Sequence, residues 1–288
     1  HGTNNPIQVW CGTRAAIALL ASACLLTAAA AAADDSPRVP ASPVEYTEKV
    51  AEMPDLCQTD QAFRSLPHEG KYSCGPTAFA NVLIAMDGRG FENLVAGDVR
   101  SKDGQRSLLL KLGAKPYLET TRDGIGPVSV MKGIQRFVRE RGYEAEVEWQ
   151  GWRRGDTFST SRFVDPDWLR EGVTGDSSVV VNVGWYRYDQ EKDLYGRFGG
   201  HYMTLAGYRK EGDRFTYLIH DPASRSGPGK VTHEARLESI QTGRLAPGKG
   251  SGQRNAAGHF LIHGIVLKRT ADAAILDGAI RLAIRKPG

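Results

Sequence analysis

The chain has 288 residues, 41% of them hydrophobic and 24% charged, and a formal net charge of +4. A chain of that length buries a core without disulfide or metal staples. Its Lys and Arg are interspersed with Asp and Glu, so the charge pattern excludes the basic face of a nucleic-acid binder.

At the N-terminus, "AAIALLASACLLTAAAAAA" runs uncharged from Ala15 to Ala33 and ends in small residues before Asp34 and Asp35. This pattern predicts a signal peptide over residues 1–33, cleaved at an Ala-x-Ala site, and therefore an exported, periplasmic or extracellular protein. An uncleaved membrane anchor and a lipoprotein signal ending at Cys24 are the alternatives. After cleavage no stable membrane insertion is expected. The Pro-rich stretch over residues 34–45 reads as a linker, and one folded domain is expected over residues 46–288. Removal of the leader would leave Cys57 and Cys74, which in an oxidising compartment could form a structural disulfide.

In "KYSCGPTAFANVL" the apolar residues Ala78, Phe79, Val82, Leu83 and Met86 recur at helical spacing, and Asp87-Gly88 supplies a stop. A buried helix starting at Cys74 is expected. There, free N–H groups and the helix dipole favour a thiolate, Gly75 would let a substrate backbone approach, and Pro76 is tolerated in the first turn. A second helix is predicted from Pro127 to Arg141, followed by Gly142. "YEAEVEW" alternates as a strand, and "SSVVVNVGWY" reads as a buried one. The aromatic side chains of Trp149, Trp152, Trp168 and Trp185 suit a core, with a substrate cleft as the alternative. "HYMTLAGY" and "RFTYLIH" read as a hairpin, "HFLIHGIVLKR" as a further strand, and "ADAAILDGAIRLAIRK" as an amphipathic helix packed on the domain.

A register that pairs Tyr208 with Arg214 across the hairpin sets His201 directly opposite Asp221, where a carboxylate orients an imidazole. A plain strand-end histidine is the alternative for His201. The histidines are scattered and no second cysteine stands at ligand spacing, so neither a metal nor another cofactor is expected.

"SCGPTAFANVL", "GGHYMTLAGY" and "IHDPAS", in that order, resemble the cysteine peptidase domain that trims double-glycine leaders from bacteriocins, together with its stand-alone papain-like relatives. The resemblance implies an α+β papain-like fold, with the cysteine at the start of a central helix packed on an antiparallel sheet. It also implies a Cys-His-Asp triad in which Cys74 is the nucleophile, His201 the general base and acid, and Asp221 the group that orients His201. A peptide or protein would be the substrate, hydrolysed through an acyl-enzyme; oligomeric state stays open. In that family a glutamine six residues before the cysteine donates to the oxyanion, and here His68 stands in that place. Gln58 and Gln61 lie further upstream at a spacing that does not match. A binding module whose chemistry has decayed is therefore the alternative to an active thiol hydrolase.

Overall fold

The computed structural model describes residues 44–46, 52–152, 157–226, 232–248 and 252–288. The predicted leader and all but the last residues of the linker lie outside them. Val44–Tyr46 forms a short strand, β1, so the expected boundary near Tyr46 falls inside a paired segment.

Helices precede strands. Helix α1 spans Cys74–Asp87 and is buried on nearly every side, because Ala78, Phe79, Val82, Leu83 and Met86 face packed neighbours all round. Helix α2, Lys102–Gly113, has no counterpart in the sequence expectations; its start is capped by Ser101, whose side chain accepts from the Gly104 N–H. Helix α3 spans Pro127–Arg139, with proline in its first turn as expected, and Gly142 takes φ +82 just beyond it. Helix α4 is the short Pro166–Glu171 segment capped by Asp165.

The strands form a closed circuit. β4 (Ser177–Asp189) pairs with β5 (Leu194–Glu211), β5 with β6 (Arg214–His220), and β6 with β7 (Thr232–Ser239). β7 then pairs with β10 (Phe260–His263), β10 with β11 (Ala273–Arg285), and β11 returns to β4. Every pairing in the circuit is antiparallel, and it removes the free edges that an open sheet of these strands would present. β2 (Glu144–Gly151) extends β11 on its outer side and carries β3 (Ser159–Ser161). β8 (Arg244–Ala246) and β9 (Arg254–Asn255) flank the start of β5.

Side-chain alternation divides the core in two. Val181, Val183, Trp185, Met203, Leu205, Ile219 and Leu276 pack together inside the circuit. Trp149, Val180, Tyr202, Ile280 and Leu282 face outward to α1, α2 and α3. Asn81 and Thr204 tie the layers: Asn81 donates to the Thr204 hydroxyl, which donates to the Ala78 carbonyl of α1.

Two expectations are corrected here. The segment from Ala271 to Lys286 is not an amphipathic helix; most of it is β11, paired on one side with β2 and on the other with β4, with Ala274 to Leu276, Ala279, Ile280, Leu282 and Ile284 buried. Its apolar pattern suits a strand covered on both faces, which local periodicity does not separate from a buried helix. The strand expected over "HFLIHGIVLKR" ends at His263, because Gly264 turns the chain at φ +84.

Candidate active site

The hairpin of β5 and β6 turns more tightly than the sequence implies. Glu211 pairs with Arg214 and Tyr208 with Tyr217, and a bulge at Ala206 shifts the ladder so that Thr204 pairs with His220. His201 therefore does not face Asp221 in register. Asp221 follows the last ladder pair, on a diagonal from His201, which side chains of this length still bridge. The expected partnership forms by that route: His201 Nε2 lies 2.5 Å from Asp221 Oδ1, and both residues are buried. His220 is the ring that points elsewhere, bonded to the Pro54 carbonyl and the Thr232 hydroxyl.

Cys74, a half-buried residue, opens α1, and His201 acts on its thiol. With Nε2 held by Asp221, Nδ1 is the nitrogen left for sulfur. The backbone N–H groups of Tyr202 and Gly75 also favour its thiolate form. Burial pushes the Cys74 thiol up, but the bond and charge of His201, with those two N–H groups, hold it below its ordinary value. Burial alone would depress His201. The Asp221 charge and hydrogen bond, then Cys74, lift it to about 9. Burial likewise works against an ionised Asp221, yet the His201 charge and bond, followed by Arg225 and Ser226, hold the carboxyl well below the usual carboxylate range. This combination favours a thiolate–imidazolium pair oriented by a carboxylate.

Asp221 is held by more than His201. Oδ1 also accepts the Ala223 N–H at 2.9 Å, and Oδ2 accepts the Ser226 hydroxyl at 2.5 Å and Arg225 Nη2 at 3.4 Å. Sequence reasoning does not single out Arg225 or Ser226; the one signal for them is a polar run directly after Asp-Pro-Ala. Trp185 is core, as its apolar strand suggests, and it also stacks on His201 with ring centroids 6.0 Å apart and planes 27° apart. Of the other tryptophans, Trp149 is fully buried and Trp168 nearly so.

Gly75 does not open space for substrate. A methyl group there would stand 3.2 Å from Ile125 Cγ2 and 3.6 Å from Tyr202 Cδ2, so its bare Cα admits packed side chains. Nor does a Cys57–Cys74 disulfide form: both cysteines are free, and Cys57 Sγ lies 3.6 Å from the Thr59 hydroxyl.

His68 has its contacts with residues other than Cys74, His201 and Asp221. It is exposed, in left-handed backbone at φ 55, accepts from Arg122 Nε at 3.3 Å and meets the Tyr72 ring edge-on. Gln58, from further upstream, is the buried glutamine that returns to the segment before Cys74. Its Nε2 donates to the carbonyls of Gly70 and Lys71, each at 2.9 Å, and its own N–H donates to Pro222, next to Asp221. Gly70 is required for this approach, because it holds φ +77 and an added Cβ would lie on the Gln58 carbonyl oxygen. An intervening loop hides this neighbour from sequence spacing.

Among the described residues no cluster of His, Cys, Asp and Glu is arranged to hold a metal ion, and no helix is long and apolar enough to cross a membrane. A family model described as the Peptidase_C39 like family matches residues 50–241, a span that contains Cys74, His201 and Asp221. No curated protein matches the chain.

Proposed function

Because this chain belongs to the Peptidase_C39 like family, and so carries a papain-like domain of the cysteine peptidase class, we propose that it hydrolyses peptide bonds with Cys74, His201 and Asp221. The observation that carries this reading is the buried His201–Asp221 bond of 2.5 Å beside a thiol at a helix start. The Cys74 thiolate attacks the substrate carbonyl carbon, and the resulting oxyanion accepts the Cys74 backbone N–H, which has no carbonyl one turn back within α1. The C–N bond then breaks as the His201 imidazolium passes its proton to the departing amine. The neutral imidazole takes a proton from water, which attacks the thioester and releases the acid with the Cys74 thiolate and a protonated His201 restored. Asp221 keeps the ring in one orientation throughout. The uncharged run over residues 15–33 supports export as the setting for this activity.

A second reading, a papain-like binding module without turnover, draws on the exposed His68 at the glutamine's usual spacing. One experiment separates the two. The mature protein is mixed with the p-nitrophenyl ester of a blocked glycine, and with a mixed peptide library, while intact mass is followed. We expect a nitrophenol burst and an acyl adduct on Cys74, both lost in Cys74→Ala and His201→Ala. Turnover retained in Cys74→Ala would exclude covalent thiol catalysis. A thiol that alkylates normally yet never acylates supports the binding module.

A further inference from the structure

We propose that Arg225 is a positioning residue of this site: a partly buried cation that balances the charge of the thiolate, imidazolium and carboxylate and, with Trp185, holds His201 toward Cys74. The inference rests on the assignment of Cys74, His201 and Asp221 given above. A thiolate, an imidazolium and a carboxylate together carry one uncompensated negative charge. Leaving that charge among buried groups is costly, and a nearby cation relieves it.

Three attachments fix the Arg225 guanidinium. Nη2 lies 3.4 Å from Asp221 Oδ2, Nε donates to the Val266 carbonyl at 3.1 Å, and the guanidinium carbon sits 4.8 Å from the centre of the Trp185 ring. Trp185 in turn stacks on His201. His201, Asp221, Arg225 and Trp185 thus form a closed circuit in which each member touches the next. A cation held only for stability has no need to reach both the carboxylate and the ring that flanks the imidazole. Burial holds Arg225 below its ordinary value, while the charges of Asp221 and Cys74 favour its protonated form; by reciprocity Arg225 favours the Cys74 thiolate.

The other charged groups near this stretch of β5 are otherwise engaged or more distant. Arg197 is paired at 2.6 Å with the buried Asp277. Lys268 lies over the Phe198 ring, 3.8 Å from where a Gly199 side chain would begin. Ser226 holds Asp221 with a neutral hydroxyl, so the control is a cation away from this circuit: Lys192, exposed and paired with Asp189 at the turn between β4 and β5.

The test is the pH dependence of iodoacetamide alkylation at Cys74, read by mass spectrometry in Arg225→Met, Arg225→Lys and Lys192→Met. Removing the cation makes the thiolate less favourable, so the Arg225→Met midpoint should move up by about half to one pH unit. Arg225→Lys should recover most of that shift, and Lys192→Met, which removes a cation away from the circuit, should leave the midpoint near wild type. An unshifted midpoint in folded Arg225→Met overturns the proposal. Should the Met variant fail to fold, Arg225→Gln, which keeps donors but no charge, is read in the same way. If neither folds while Arg225→Lys does, the cation is purely structural and the proposal falls. Alkylation needs no turnover, so its outcome is independent of the ester assay that tests the peptidase itself.

Discussion

Gln58 uses one amide group to hold the carbonyls of Gly70 and Lys71, just upstream of Cys74, while His68 lies exposed beside Arg122. Removing the amide frees two carbonyls and the loop that they steady, and small misplacements at a reacting centre are costly in rate. Gln58→Ala should therefore lower kcat/KM by about tenfold to hundredfold, whereas His68→Ala should change it by less than about threefold; steady-state rates on one peptide ester decide between them. At this scale much of the site is legible in the sequence. A cysteine before Gly-Pro at the head of an apolar helical run places a thiol at a helix start from local pattern alone. His201 and Asp221 meet despite a register different from the expected one, because a bulge and a tighter turn leave the two on a diagonal. Arg225, Trp185 and Gln58 are not legible as neighbours of the site, since each reaches it across a loop or a sheet that local spacing does not encode.

Among the elements, β11 shows where local pattern runs out. In "ILDGAIRLAIR" apolar residues fall at intervals that satisfy a helix and a strand alike; the decisive fact is a neighbour on either side, β2 and β4, brought from remote parts of the chain. Ile280 sits fully buried on this strand, in the layer that meets the helices. Ile280→Ala deletes buried methyl groups from a position with paired strands on both sides, so it should cost about 2–5 kcal/mol. Urea unfolding of the two proteins, read as a change of midpoint at constant slope, measures that cost. By contrast, α1 and α3 are recognisable because their signals lie within the segments themselves: apolar spacing in both, and in α3 a proline in the first turn and a glycine after the last.

For the molecule as a whole, the buried His201–Asp221 pair links stability to pH. His201 is raised to about 9 from its unfolded value near 6.5, so its contribution is complete below about 6.5 and is lost as pH rises through about 9. Asp221 is lowered, so its contribution is present above its unfolded value of about 3.9 and is lost as pH falls through the folded value. The Cys74 thiol, held below its ordinary value, is linked to pH in the opposite sense, so the His201 contribution is read in Cys74→Ala: between pH 6 and pH 9.5 that protein should lose about 1–3 kcal/mol, and Cys74→Ala/Asp221→Asn distinctly less. Urea midpoints of both proteins at the two pH values measure the difference; equal losses would refute it.

The strand circuit also sets an order of events. β4 and β5, which carry Trp185 and His201, have their full set of neighbours only when residues 273–285 dock along β4 and meet β10. The Cys74 helix is local in sequence and that strand is not, and contacts so distant along the chain form late in folding. On the proposed function the assembly order is a safety catch: the folding chain carries the Cys74 thiol without the finished frame that aligns it, and cleavage would wait on the closing strand.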